Sequence, residues 1–229
     1  MTCIIFPRTK RLPAIDSRAH EISSSNQSAS STEHMTADIQ IQNLLRSQAV
    51  QEINFRFRPL NISGHGYRDL SERFANHPIR HRIRVTARPE LLSPQALGSY
   101  DPGTDKLLLR SSNVLATARG RSIVVHECTH ALMDLRGRSS QIRSEEGAAF
   151  IAEAWYLLAI NEDPTAPEFG LHPDISSIAS AVRDRARGTR ADMTRAEMAT
   201  IRRVMRTEYA YGAGRYISDG ICGRRFPGS

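Results

Sequence analysis

The stretch over residues 124–135, Val-Val-His-Glu-Cys-Thr-His-Ala-Leu-Met-Asp-Leu, constrains this chain more than any other. His126, Glu127 and His130 have the H-E-x-x-H spacing of a helical zinc site that carries its own base. Each residue advances about 100° around an α-helix, so with His126 at zero, His130 lies at about 40°, Asp134 at about 80° and Glu127 at about 100°. One polar stripe therefore carries two imidazoles and two carboxylates. Val124, Cys128, Ala131, Leu132 and Leu135 form an apolar face suited to burial. Two imidazoles one turn apart can give one Zn²⁺ two nitrogen ligands at about 2.0–2.1 Å. Glu127 is too far round to be a third ligand and is placed to take a proton from water activated at the metal. Cys128, about 200° from His126, reads as a small buried hydrophobe.

A catalytic zinc needs three protein ligands and one open position, so a further ligand is expected elsewhere. Downstream, Ser144-Glu145-Glu146-Gly147-Ala148-Ala149-Phe150-Ile151-Ala152-Glu153-Ala154-Trp155 lies in an Ala-, Glu- and Leu-rich segment that predicts a helix over about 140–160. Gly137 is the expected stop of the first helix, and Ser139-Ser140 the start of the second. Two antiparallel helices joined by so short a connection bring Glu146 over the histidines. Glu153, seven residues on, shares the Glu146 face, while Glu145 points about 100° away. Glu145 is read as a solvated helix residue or as a substitute for Glu146. Glu153 either orients a ligand or is an ordinary exposed glutamate. Asp134 either holds a ligand imidazole through its other ring nitrogen or sits on the surface at a helix end.

H-E-x-x-H followed by an acidic residue on the next helix resembles the gluzincin class of zinc metallopeptidases. The match is closer to their aminopeptidase branch, whose second motif reads Asn-Glu-Gly-x-Ala with a further Glu seven residues after the ligand. Here Glu145-Glu146-Gly147-Ala148-Ala149 with Glu153 follows that pattern over about residues 98–160. Glu145 stands where Asn is usual, and only 15 residues separate His130 from Glu146. The resemblance implies one Zn²⁺ held by His126, His130 and Glu146, with Glu127 as base and a protein or peptide as substrate. It also implies a zincin-like α+β fold, mostly helical, with a small mixed sheet and an active-site helix pair. The strand at residues 107–110 becomes an edge strand that pairs with an extended substrate backbone, a contact made by main-chain hydrogen bonds. Gluzincins place a Tyr or His downstream of the ligands to stabilise the oxyanion; His172, Tyr209, Tyr211 and Tyr216 are the candidates here.

The rest of the chain sets the boundaries of this reading. Residues 23–31 are a Ser-rich polar run that cannot bury a core, so residues 1–34 read as a disordered tail. Such Ser-rich N-termini resemble the export tails of bacterial effectors delivered by type III secretion, but a plain flexible tail is the favoured reading. The apolar run Cys3-Ile4-Ile5-Phe6 is too short for a signal-peptide core, which makes a cytoplasmic location the default, with non-classical export the alternative. No segment approaches 18 apolar residues, so no membrane span is expected. The domain is expected over residues 35–218, with a flexible tail at 219–229. Cys3, Cys128 and Cys222 are too few and too scattered for a disulfide framework. The net charge is +7, and the cations are almost all Arg, with Lys only at 10 and 106. They are spread along the chain without aromatic interleaving, as in a generally basic surface rather than a specific nucleic-acid interface.

Periodicity predicts helices over residues 36–53, 67–76, 174–187 and 194–211, the last opened by the capping box Thr194-x-x-Glu197. Strands are expected at 82–86 and 106–110, and a turn at 100–105. Gly64 and Gly66 read as a break between the first two helices. A zinc peptidase is the expected function. The alternative is a basic effector or binding protein that keeps a structural zinc on the same scaffold and turns nothing over.

Overall fold

The computed structural model describes residues 36–75, 82–136 and 141–209. They form an α+β fold that is mostly helical, with seven α-helices among the described residues. The expected tails and Gly137, Ser139 and Ser140 lie outside the described residues, as do Tyr211 and Tyr216.

The N-terminal helical region is α1 (Ala37–Arg46) followed by the single turn α2 (Gln48–Gln51). The break from the expected continuous helix falls at Ser47, whose hydroxyl donates to the Leu44 carbonyl at 2.7 Å, while its backbone is extended. A serine that satisfies a backbone acceptor in this way competes with the helical ladder. Next comes an unforeseen hairpin of β1 (Asn54–Phe57) and β2 (Leu60–Ser63), which buries Phe55, Phe57, Leu60 and Ile62. Helix α3 (Gly64–Ala75) starts directly from it. Gly64 is helical here rather than a breaker, and its lack of a side chain is required: a Cβ would lie 2.1 Å from the Gln51 carbonyl oxygen.

Strands β3 (Arg84–Ala87), β4 (Gly98–Asp101) and β5 (Lys106–Leu109) form a sheet in the order β3-β5-β4. Strand β5 pairs parallel with β3 and antiparallel with β4. It is therefore the central strand, and the expectation of an edge strand at 107–110 is corrected: its backbone groups are used on both sides. The edge against the helix at residues 118–135 is β4, part of which was expected as a turn. Helix α4 (Ala118–Leu135) carries the H-E-x-x-H stretch and α5 (Ile142–Ala159) the downstream glutamates. The chain closes with α6 (Pro173–Ala186), the two-residue strand β6 (Ala191–Asp192) and α7 (Arg195–Thr207). Both halves of the Thr194/Glu197 capping box are formed. Because β6 pairs parallel with β1, a second mixed sheet exists, in the order β2-β1-β6, where one was expected.

Helices α4 and α5 lie at the centre and are each other's main neighbours. Val124, Val125, Cys128 and Leu132 of α4 pack into one core with Phe150, Ile151, Trp155 and Leu157 of α5. Among the described residues, no helix is long and apolar enough to cross a membrane.

Candidate metal centre

The side-chain pairs between α4 and α5 show that the helices run antiparallel. Arg121 reaches Tyr156, Ser122 reaches Glu153, His126 lies between Glu153 and Glu146, and His130 faces Glu146. The sequence spacing thus brings His126, His130 and Glu146 together. The two Nε2 atoms are 3.3 Å apart, and Glu146 Oε2 is 3.5 Å from that of His126 and 3.6 Å from that of His130. The His126 side chain is fully buried and the His130 side chain is 12% exposed, the most open of the three.

Glu146 Oε2 is buried and has no hydrogen-bond partner. Leaving such an oxygen unsatisfied costs about 1–3 kcal/mol, more when it is charged. It points with two imidazole nitrogens at one common space, a donor set of two nitrogens and a carboxylate oxygen that suits a cation. The three residues form a buried cluster that can hold a metal ion.

The surrounding groups prepare these donors. His126 Nδ1–H donates to Glu153 Oε2 at 3.0 Å, and Glu153 Oε1 accepts from the Ser122 hydroxyl at 3.1 Å. With Nδ1–H engaged by Glu153, Nε2 is the His126 nitrogen turned to the centre. Glu153 is therefore buried and orienting, not exposed. Phe150 meets the His126 ring edge-on at 4.6 Å and fixes its tilt. Glu127 Oε2 accepts from the Tyr100 backbone N–H of β4 at 2.7 Å, whereas Oε1 is buried without a hydrogen-bond partner.

The electrostatics follow from three carboxylates and two imidazoles sharing a dry space. Burial would lower the pKa of His126, but Glu146, Glu153 and Glu127 overcome it and raise the value to about 10. His130 is raised in the same way, burial being outweighed by Glu146. Burial would raise Glu146, yet the two imidazoles hold it well below the usual carboxylate range. Glu127 goes the other way: burial raises it against the pull of both histidines and of the Tyr100 N–H. A carboxylate raised in this way is suited to general-base work near neutral pH.

The other sequence candidates resolve differently. Glu145 is buried rather than solvated and is not among the clustered donors. Asp134 accepts from the Tyr100 hydroxyl at 2.8 Å. Cys128 is fully buried, and burial pushes its thiol well above the usual range. His172 caps α6, its Nδ1 accepting from the Asp174 N–H, while the Tyr209 hydroxyl accepts from the His172 N–H at 3.2 Å. Tyr209 also packs on Phe150, with ring centroids 4.5 Å apart, and burial with nearby Glu153 and Glu208 pushes it up to about 12.

Sequence reasoning missed Ser122, Phe150 and Tyr100. Ser122 was readable, since it precedes His126 by one helical turn on the same stripe. Tyr100 gave no signal, because what it offers Glu127 is a backbone N–H that any residue but proline supplies. No protein-family model, no curated protein and no solved structure matches this chain.

Proposed function

We propose that this chain is a zinc-dependent metallopeptidase with Zn²⁺ held by His126, His130 and Glu146. One observation carries the reading: the orphaned Glu146 oxygen and two imidazole nitrogens form a triangle with edges of 3.3, 3.5 and 3.6 Å. Tetrahedral zinc with bonds of about 2.0–2.1 Å separates its ligand atoms by roughly 3.3–3.4 Å, so little movement is needed for the ion to fit. The peptide bond as substrate rests on the H-E-x-x-H and Glu-Glu-Gly-Ala-Ala resemblance.

A bound zinc supplies a Lewis acid that brings the pKa of water toward about 7 and polarises a carbonyl. The chain's own residues do the rest. Glu127 takes the proton from the attacking water and delivers it to the leaving amine, and the Tyr100 N–H holds one of its oxygens so that the other faces the reaction. Glu153, steadied by Ser122, keeps the His126 ring in its ligating orientation.

One feature favours a second reading, a structural zinc without turnover: His126, Glu127 and Glu146 are each 3% exposed or less. Against it stands the ligand count. Structural zinc is closed by four protein ligands, whereas among the described residues this cluster offers three, beside a raised carboxylate with one oxygen that lacks a hydrogen-bond partner. The test is metal content by elemental mass spectrometry together with hydrolysis of casein and of mixed quenched fluorogenic peptides. About one zinc per chain is expected, lost in His130→Ala and Glu146→Ala, and Glu127→Gln should keep zinc while losing hydrolysis. A zinc-free wild type or a fully active Glu127→Gln protein overturns the proposal; zinc without cleavage leaves the structural reading.

A further inference from the structure

Glu127 is a single carboxylate on a helix, and its precision depends on the strand that holds it. Three observations converge on Tyr100 of β4. Its backbone N–H donates to Glu127 Oε2 at 2.7 Å in a buried setting. Its hydroxyl lies 2.8 Å from Asp134 Oδ2, at the C-terminal end of the same helix α4, and 3.1 Å from Asp105 Oδ1, in the β4–β5 turn. Tyr100 is itself 3% exposed, and its hydroxyl bonds to the half-buried Asp134 and Asp105 are part-buried.

Glu127 and Asp134 are seven residues apart, which is two turns and about 10 Å along a helix. One residue thus spans two turns of α4, with its backbone on the base and its side chain on the carboxylate below. Among the described residues strand β4 is a sheet edge paired with β5 alone, so no further strand fixes its distance from α4. Besides the close approach of Gly98 to Ile123 and Glu127, the shorter hydroxyl contact, with Asp134, is the side-chain pin between β4 and α4; Asp105 shares the same hydroxyl proton more weakly.

We infer that Tyr100 is a positioning residue for the general base: its hydroxyl, pinned by Asp134, sets the distance of β4 from α4 and thereby where the Tyr100 N–H holds Glu127. The inference rests on the peptidase reading for its consequence in turnover, but the tether itself is independent of it. A hydrogen-bonded base displaced by a fraction of an ångström loses rate rather than affinity, because the transition state is more demanding of geometry than the bound substrate.

Tyr100→Phe keeps the ring and the backbone N–H and deletes only the pin. With the best-cleaved quenched fluorogenic peptide as probe, Tyr100→Phe is expected to bind zinc as the wild type does and keep KM. Its kcat should fall about tenfold. Asp134→Ala should lose a similar factor, and the double variant no more than either alone, as expected for two halves of one contact. A Tyr100→Phe protein with wild-type kcat, or one whose loss lies in KM or in zinc content, overturns the assignment. If the wild type cleaves no probe, the peptidase reading fails, and the tether is judged by amide hydrogen exchange on the same proteins. The Tyr100 amide should then exchange about tenfold faster in Tyr100→Phe, in Asp134→Ala and in Glu127→Ala. Unchanged protection in Tyr100→Phe refutes the tether.

Discussion

With no metal at the His126, His130 and Glu146 cluster, the stability of this protein should depend steeply on pH above neutrality. In the metal-free state His126 titrates near 10, against an ordinary value of 6.5, because Glu146, Glu153 and Glu127 favour its charged form despite burial. A group raised by folding contributes stability that is fully present below the unfolded value and is lost as pH rises through the folded value. Between pH 6.5 and 10 the folded chain therefore holds one proton more than the unfolded chain. Stability should fall by about 1.4 kcal/mol per pH unit across that window. His130, also raised, adds to the slope with the same sign. Zinc must displace this proton to reach the His126 Nε2, so its affinity should rise about tenfold per pH unit over the same range. The assay is chemical denaturation in chelator at pH 7, 8 and 9, with zinc affinity measured at each pH by competition against a chromophoric chelator. Metal-free stability that holds or rises from pH 7 to 9, together with pH-independent zinc affinity, would refute the reasoning.

Glu153→Gln should bind zinc about 10- to 100-fold more weakly than the wild type, since the partner of His126 Nδ1 loses its charge; competition titration checks this, and unchanged affinity removes Glu153 from the orienting role. Gly147→Ala tests the packing behind the ligand helix. A Cβ there would lie 2.5 Å from Ile201 Cγ2 of α7 and 3.4 Å from the Phe57 ring, so a loss of about 1–3 kcal/mol is expected in urea denaturation. A change below about 0.5 kcal/mol would mean that α7 yields without strain.

What the sequence made legible is what helix periodicity encodes. His126, Glu127 and His130 fall on one stripe by spacing alone, and Glu146 and Glu153 share a face because seven residues make nearly two turns. The Thr194/Glu197 box is equally local. What escaped was set by contacts between distant segments. The β1–β2 hairpin carries the alternation Phe55, Phe57 and then Leu60, Ile62, but only four residues per strand, too few to dominate a window. The central position of β5 depends on β3 returning parallel beside it, which no pattern within residues 106–110 reveals. Gly64 reads as a breaker from propensity, yet it is kept by the approach of the Gln51 carbonyl, 13 residues earlier. Glu145 reads as solvated because its own helix turns it away from Glu146; the packing around α5 buries it nonetheless.

The charges of the centre join these strands of reasoning. Glu127, Glu146 and Glu153 bring three carboxylates into a space that His126 and His130 share, all of it nearly closed to water. Buried carboxylates without compensation would take up protons or disrupt the packing. The compensation is the charge of the His130 and His126 imidazoles, which keeps Glu146 ionised. A dication held by His126, His130 and Glu146 would take over that role, would satisfy the Glu146 oxygen, which has no hydrogen-bond partner, and would leave His126 with its proton on Nδ1 facing Glu153. Glu127 adds to the pull on His126 but is not among the clustered donors: one of its oxygens is held by β4 and the other has no hydrogen-bond partner. The packing that makes a bare cluster costly thus favours a cation among His126, His130 and Glu146.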